Sequence, residues 1–412
     1  MKNLKNIIEI PGSKSYTNRA LLLAALTKGK VKINNPLISD DTIAMINCLK
    51  TLGIKIIKKK DSIEVIGDIF SIENKKYKLN ANLSGTTIRF ITALSAVTPG
   101  VKVITGKDGL NKRPIKDLVN SLKQLGVKIS YLEKDGFPPL FVEPVKSSKK
   151  NININGSVSS QYLSAILMVA PVIGGITINV VGKQISKPYV DMTIDIMKKF
   201  DASVINKNYK KYIISGNQKY SCSSYDVEGD FSSAGYFFAT AALTKSKIVV
   251  KNLNPDSKQA DKKLLNILEK MGSKITYKKN EIVINGNGVK ALDIDVLDFP
   301  DQAQTLAVLA AFAHGKTKLI GVKSLRIKET ERVIALQNEL KKMNIKTLAT
   351  KDSLTVFGGA PKAAEIETCG DHRMAMAFAI AKNILPKIVI KNPEVVNKTF
   401  PDFWKKMEEI NL

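Results

Sequence analysis

Arginine is scarce in this chain, and where it occurs it keeps company with other reactive side chains. Six arginines, Arg19, Arg89, Arg113, Arg326, Arg332 and Arg373, stand against 58 lysines in 412 residues. Either residue serves as a solvated surface charge, but only the planar guanidinium grips a carboxylate or phosphate through two parallel hydrogen bonds. The surviving arginines therefore point to a small, multiply anionic ligand. Lys14, Ser15 and Arg19 follow a Pro-Gly entry within a turn and a half of a helix, so a cation, a hydroxyl and a guanidinium converge at one helix start. Ser159, Ser160 and Gln161 are neutral donors suited to phosphate oxygens or a ring of hydroxyls. Arg113 precedes a proline that stiffens its turn. In SLRIKETERVIAL, which is expected to open a helix, Lys328 and Arg332 at i and i+4 share a face, with Glu329 between them in sequence. Asp371, His372 and Arg373 add a further cluster, and Lys398 lies in VNKTFPDFW. Taken singly, a run such as KETER is more often an exposed, ion-paired helix face.

The elements that must position these residues repeat. Small-residue turns opening into apolar helices recur at Ser15, Thr86, Ser160, Ser233, Gln304 and Arg373, at spacings of 71, 74, 73, 71 and 69. In phase with them, Gly53, Gly126, Asp201, Gly272 and Asn344 follow helix ends at spacings of 73, 75, 71 and 72 and lead into β-branched segments, as helix stops before strands do. Six units of about 70 residues, each with two helices and several strands, predict three units per domain and partly parallel sheets. The first helix of each unit offers free N–H groups and a positive dipole end to anions. The competing interpretation is that the Ser, Thr and Asp there are ordinary N-caps; at Ser232 and Ser233 the two stand level, since no basic residue accompanies them.

Composition narrows the function. The chain is 44% hydrophobic and 25% charged, enough for two or three domains with sizeable cores. The first residues, MKNLKNIIEIPGSK, lack a signal-peptide pattern, and no run approaches the roughly 20 apolar residues of a membrane span, so a soluble cytoplasmic protein is expected. Cys48, Cys222 and Cys369 have no paired spacing, and only two histidines exist, which argues against a disulfide framework or a histidine-based metal centre. Cys369 reads as a small buried residue. The net charge of +27 comes from scattered lysines with little aromatic interleaving, a solvated surface rather than a nucleic-acid groove, whose field draws anionic metabolites.

Over nearly the whole chain, PGSKSYTNRALLLAAL, SGTTIR, RPI, GSVSSQYLSA, ISKPYVD, VEGDFSSA, FPDQAQTLA, RIKETER, GDHRMAMA and NKTFPDFW resemble, in order and spacing, the 5-enolpyruvylshikimate-3-phosphate synthase family. The resemblance implies an α/β fold of two domains, an inside-out barrel of six β-α-β-α-β-β units, three per domain. It divides the chain into residues 13–226 and residues 1–12 plus 227–412, with the active site in a closing interdomain cleft. It implies transfer of the enolpyruvyl group of phosphoenolpyruvate to the 5-hydroxyl of shikimate 3-phosphate, releasing phosphate, without metal or organic cofactor. By resemblance, Lys14, Gly85, Arg113, Gln161, Arg332, Arg373 and Lys398 hold phosphoenolpyruvate. Lys14, Ser15, Arg19, Ser159, Ser160, Gln161, Ser186, Tyr189, Asp301 and Lys328 hold shikimate 3-phosphate. Asp301, Glu329, Lys14 and Lys398 are the implied catalytic residues: Asp301 takes the proton of the attacking hydroxyl, and Glu329, assisted by Lys398, moves a proton at the methylene carbon. The partners implied are these small molecules, with no nucleic acid and no membrane, and a monomer is expected. Glyphosate is expected to compete with phosphoenolpyruvate.

Three roles stay open in the sequence: Arg89 and Arg326 either brace local structure or touch ligand, and His372 is either a structural hydrogen bonder or a site residue. The chain departs from many relatives in Leu83, with the asparagine displaced to Asn82, and in Ser324. The rival activity is enolpyruvyl transfer to UDP-N-acetylglucosamine, whose usual cysteine is missing from Gly106 to Lys112, while SVSSQ, SKPY, KETER and DHRMA belong to the shikimate branch. A non-catalytic nucleic-acid-binding protein would rest on charge alone.

Overall fold

In the computed structural model, residues 6–144 and 149–410 are described. One repeat shows the plan of the rest. Strand Lys76–Asn80 leads into helix Gly85–Val97, and strand Val101–Thr105 returns parallel to the first. A parallel pair needs such a crossover. Helix Lys116–Gln124 follows, and then the antiparallel hairpin Lys128–Tyr131 and Leu140–Glu143, whose second strand pairs with Val101–Thr105. The resulting order, first, second, fourth, third, recurs in four of the five four-stranded sheets among the described residues, and in the fifth the first place is taken by Ser224–Asp226, a strand from much later in the chain. The sixth repeat departs from the expectation of six full units. Its helix His372–Lys382 is flanked only by the two-residue parallel strands Glu365–Ile366 and Val389–Ile390, the short helix Phe403–Glu408 takes the place of the second helix, and no hairpin follows it among the described residues.

The chain divides into two compact units, Gly12–Val227 and Met1–Pro11 with Glu228–Leu412. Each unit takes one strand from a distant part of the sequence. Ile7–Glu9 pairs in parallel with the strand Lys247–Lys251, and Ser224–Asp226 with the strand Gly29–Asn34. The two entry points match. A Cβ on Gly12 would lie 2.0 Å from the Asn35 carbonyl oxygen, and one on Gly229 1.8 Å from that of Asn252, so neither turn admits a side chain. Asn35 and Asn252, both in the left-handed region, donate their amides to the Val227 and Ile10 carbonyls at 2.9 and 2.7 Å.

Within each unit the first helices of the three repeats are apolar on every side, and for that reason they are the buried ones. Lys14–Leu26, Gly85–Val97 and Ser160–Val169 pack together in one unit, and Phe231–Thr244, Ala303–Phe312 and His372–Lys382 in the other. The second helices, such as Lys116–Gln124 and Lys263–Met271, are amphipathic and cover the sheets. All five expected helix stops hold. Gly53, Gly126, Asp201, Gly272 and Asn344 have positive φ, and the next residue's N–H reaches back to a carbonyl five positions earlier, as in Ile54 to Leu49 and Ile345 to Leu340.

One inward strand position breaks the apolar pattern. Lys102 is fully buried beside Ile104 in strand Val101–Thr105, and its ammonium donates to the carbonyls of Ser95, Thr98, Pro99 and Gly100 at the end of helix Gly85–Val97. Burial pushes this lysine down to about 7.

Candidate active site

The buried helices place their N-termini where the reactive residues fall. In the unit Gly12–Val227, helix Gly85–Val97 is capped by Ser84, whose hydroxyl accepts from the Thr87 N–H, and helix Ser160–Val169 by Ser159, which accepts from Gln161. Gly85 opens the first of these against two guanidinium groups. A Cβ there would stand 2.5 Å from Arg113 Nη1 and 2.8 Å from Arg89 Nη1. Arg89 donates to the Gly85 carbonyl at 3.1 Å and to Gln161 Oε1 at 2.5 Å, and Gln161 Nε2 reaches Thr86 Oγ1 at 3.4 Å. Arg89 lies 5.4 Å from the ring of Tyr162, whose hydroxyl donates to the Pro114 carbonyl at 2.6 Å and so steadies the turn that carries Arg113. Gly85, Arg89, Arg113 and Gln161 thus form one group. The sequence left Arg89 open, although its i+4 position from Gly85 puts it on the helix face that opens there.

Lys14 Nζ pairs with Asp41 Oδ2 at 3.1 Å, and the Asp41 carbonyl accepts from Thr87 Oγ1 at 3.1 Å, which ties Lys14 to the Gly85 helix. Ser15 lies half-buried beside Lys14, and Ser160 is buried at the start of its helix. Ser186 is buried in the left-handed region, directly before helix Lys187–Lys199, an uncommon conformation for serine. Half-buried Tyr189 lies on that helix. Arg19 is placed differently from a ligand fork. Its Nε donates to Thr193 Oγ1 at 2.8 Å, Nη1 to the Ser15 carbonyl at 2.9 Å, and Nη2 to the Tyr189 carbonyl and Ser164 Oγ at 3.2 and 3.4 Å. At 2% exposure and 5.4 Å from the Phe90 ring, Arg19 joins three elements and keeps at most one N–H for a ligand. Burial lowers its pKa to about 10.

In the unit of Met1–Pro11 and Glu228–Leu412, Arg332 is the centre. It is 1% exposed and forks onto Asp371, Nε to Oδ2 at 2.7 Å and Nη2 to Oδ1 at 3.2 Å. Its Nη2 also reaches Glu329 Oε2 at 2.8 Å, and its Nη1 reaches Asp301 Oδ1 at 3.4 Å. Burial works against this guanidinium, but Asp371, Glu329 and Asp301 outweigh it and hold the proton more tightly than usual. Arg373 donates from Nη2 to Asp301 Oδ2 at 2.7 Å, and from Nη1 to the Asp301 carbonyl and the Tyr236 hydroxyl at 3.2 Å each. Burial pushes Tyr236 up to about 12, so its hydroxyl stays neutral while it accepts from Arg373. Lys398 Nζ meets Glu329 Oε1 at 2.8 Å. Asp301, Glu329, Arg332, Arg373 and Lys398 therefore form a second connected group, with Asp371 beneath it capping helix His372–Lys382.

Several expectations need correction. Helix Arg332–Lys342 begins only at Arg332, with Glu331 as its cap, so Lys328 and Glu329 precede the helix and the shared i, i+4 face does not exist. Glu329 reaches Arg332 from a turn instead, and Lys328 is half-buried beside it. Arg326 is a brace: it pairs with Glu331 Oε1 at 2.9 Å and donates to the carbonyls of Lys351 and Thr350. Ser232 and Ser233 are not themselves the N-cap: Asp230 caps this helix by accepting from the Ser233 N–H, and Ser232 lies in the first turn and donates to Asp261. His372 is buried, with Nδ1 3.5 Å from Asp371 Oδ1. Cys369, expected buried, is exposed with φ of 52°, and partial desolvation of its thiol, together with nearby Glu339, Glu367 and Asp371, raises its pKa. Among the described residues no group of three or more His, Cys, Asp or Glu could hold a metal ion, and no helix is long and apolar enough to cross a membrane.

The sequence matches the family described as EPSP synthase (3-phosphoshikimate 1-carboxyvinyltransferase) over residues 1–407. The chain belongs to the EPSP synthase family. Its relatives in that family include the 3-phosphoshikimate 1-carboxyvinyltransferase of Colwellia psychrerythraea, 40% identical over 98% of this chain and 96% of the relative. The enzyme of the same name from a Sulfurovum species is 38% identical over 100% of this chain and 98% of the relative. The EPSP synthase structure from Acinetobacter baumannii shares the fold, with a TM-score of 0.82 at 24% identity, covering 99% of this chain and 96% of that one. EPSP synthase membership thus agrees with the two-unit α/β architecture built from repeats.

Proposed function

We propose that this protein transfers the enolpyruvyl group of phosphoenolpyruvate to the 5-hydroxyl of shikimate 3-phosphate. The hydroxyl oxygen bonds to the enol ether carbon of phosphoenolpyruvate as the methylene carbon takes a proton. The adduct then gives up a proton of the methyl group so formed as the carbon–oxygen bond to phosphate breaks, which restores the methylene. One observation carries the chemistry: Asp301 and Glu329 bind different nitrogens of the same buried guanidinium, that of Arg332. A carboxylate for the hydroxyl proton and one for the methylene proton are thereby held in a fixed relation. Lys398, 2.8 Å from Glu329, supplies a proton partner and a positive charge.

The substrates bring two phosphates and two carboxylates, which accounts for the cations. Lys14, Arg113 and Gln161 beside Gly85 in one unit, and Arg332, Arg373 and Lys398 in the other, are the groups we assign to phosphoenolpyruvate. Ser15, Ser159, Ser160, Ser186, Tyr189 and Lys328 are assigned to shikimate 3-phosphate, with Asp301 at its hydroxyl. Arg19, spent on Thr193, Ser15, Tyr189 and Ser164, holds these elements in place and contributes at most one hydrogen bond.

Phosphate release measured with phosphoenolpyruvate and either shikimate 3-phosphate or UDP-N-acetylglucosamine tests the assignment. Turnover is expected only with shikimate 3-phosphate. Turnover only with the nucleotide sugar would overturn it.

A further inference from the structure

Asp261 lies in the short turn Ala260–Lys262, buried, at a position that no sequence motif marks. Ser232 Oγ donates to its Oδ2 at 2.7 Å, and the carbonyl of the same serine accepts from Gln302 Nε2 at 3.4 Å. Gln302 is the chain neighbour of Asp301 and is wedged under Gly235, where a Cβ would come within 2.7 Å of its amide. One serine therefore ties Asp261 to the Pro300–Gln302 turn that carries Asp301. Burial, and next the charge of Asp301, push the Asp261 carboxyl up to about 6; Arg373 and the Ser232 hydrogen bond pull it down, and Asp230 adds a smaller upward push.

A carboxylate pinned by two guanidinium groups is a poor proton acceptor, because the cations stabilise its charged form. Asp301 is in that position, with Arg373 at 2.7 Å and Arg332 at 3.4 Å. The reaction nevertheless asks it to take a proton. We infer that Asp261 is a positioning residue for Asp301: anchored by Ser232, its negative charge opposes the pull of Arg332 and Arg373 and keeps Asp301 basic enough to accept the proton of the attacking hydroxyl. This role rests on the acid–base assignment proposed above. The other charged groups around Asp301 are already engaged, Glu329 with Arg332 and Lys398, and Asp371 with Arg332.

The test is the pH profile of kcat/KM for phosphoenolpyruvate in wild type, Asp261→Asn and Ser232→Ala. Asparagine keeps the shape and an acceptor for Ser232 but loses the charge. Alanine removes the donor, so Asp261 holds its proton to higher pH and is less charged. Both changes should move the acidic limb to lower pH, by about half a unit or more for Asp261→Asn, and lower kcat more than they change KM. A carbon-13 titration of Asp301 in the resting protein, its signal assigned with Asp301→Asn, should show the same downward shift without turnover. Failure of wild type to use shikimate 3-phosphate would refute the functional assignment and leave this titration to decide the Asp261 role. Profiles and titrations that superpose on wild type in both variants would overturn the inference, and Ser232→Ala alone decides it if Asp261→Asn does not fold.

Discussion

Adding one methyl group at Gly85 should be felt through Arg113. The new Cβ would lie 2.5 Å from Arg113 Nη1, 2.9 Å from its Cζ and 2.8 Å from Arg89 Nη1. Ordinary contact begins near 3.5 Å, so one guanidinium must retreat by about 1 Å. Arg89 has little freedom to yield, being bonded to both the Gly85 carbonyl and Gln161, and the Arg113 turn is held by Tyr162. A misplacement of about 1 Å in a group that positions a reactant costs on the order of 100-fold in rate, or about 2.7 kcal/mol of transition-state stabilisation. Gly85→Ala should therefore lower kcat/KM for phosphoenolpyruvate by about that factor while leaving the KM for shikimate 3-phosphate and the melting temperature nearly unchanged. Steady-state phosphate release at varied phosphoenolpyruvate, beside a thermal melt, reads all three quantities. A variant with wild-type kcat/KM would refute the reasoning. The inhibition constant of glyphosate should rise by more than the KM does, and equal rises would show that Gly85 does not distinguish the two ligands.

Asp301→Asn and Glu329→Gln should fold normally and lose about 100-fold or more in kcat; near-full turnover in either would reassign its proton. Arg332→Lys and Arg373→Lys should each cost at least about tenfold in kcat/KM for phosphoenolpyruvate, and Arg332→Lys should also lower the melting temperature, since Asp371 loses its fork. Arg19→Lys should act in the opposite proportion, with a clear loss of thermal stability and a smaller kinetic change, because its bonds run to Thr193, Ser15, Ser164 and Tyr189; an unchanged melt would refute this. Lys102, held near 7 when folded against about 10.4 in an unfolded chain, binds fewer protons folded than unfolded across that interval. Its contribution therefore costs stability below about pH 7 and fades toward pH 10, and Lys102→Met should flatten the rise of urea midpoint with pH over that window.

The helix stops were legible because a left-handed residue is almost confined to Gly, Asn and Asp, so Gly53, Gly126, Asp201, Gly272 and Asn344 stood out at a constant spacing. The start of the Arg332 helix was not, because its cap is Glu331, a residue outside the usual Ser, Thr, Asp and Asn set, and nothing in KETER distinguishes a turn from a helix. Four of the six arginines, Arg89, Arg113, Arg332 and Arg373, fall in the two connected groups of polar side chains. Composition alone could not separate Arg332 and Arg373, which hold carboxylates there, from Arg326, which braces a loop, since both use the same donors. Asp261 was invisible because its partner Ser232 is 29 residues away and no local pattern joins them. Lys102 did leave a signal, a charge at an inward position of an alternating strand, which its carbonyl partners explain only in three dimensions.

The strand Ile7–Glu9 is made well before its partner Lys247–Lys251, which is translated some 240 residues later. At ordinary elongation rates that delay is on the order of ten to fifty seconds. The unit Gly12–Val227 has all its own strands once Asp226 has been made, so it can fold during synthesis while the apolar segment Ile7, Ile8 and Ile10 waits unpaired ahead of it in the chain. Nascent chains of this protein therefore carry an exposed β edge for much of their translation, and a chaperone that shields that segment would protect the yield of folded enzyme without touching the finished structure.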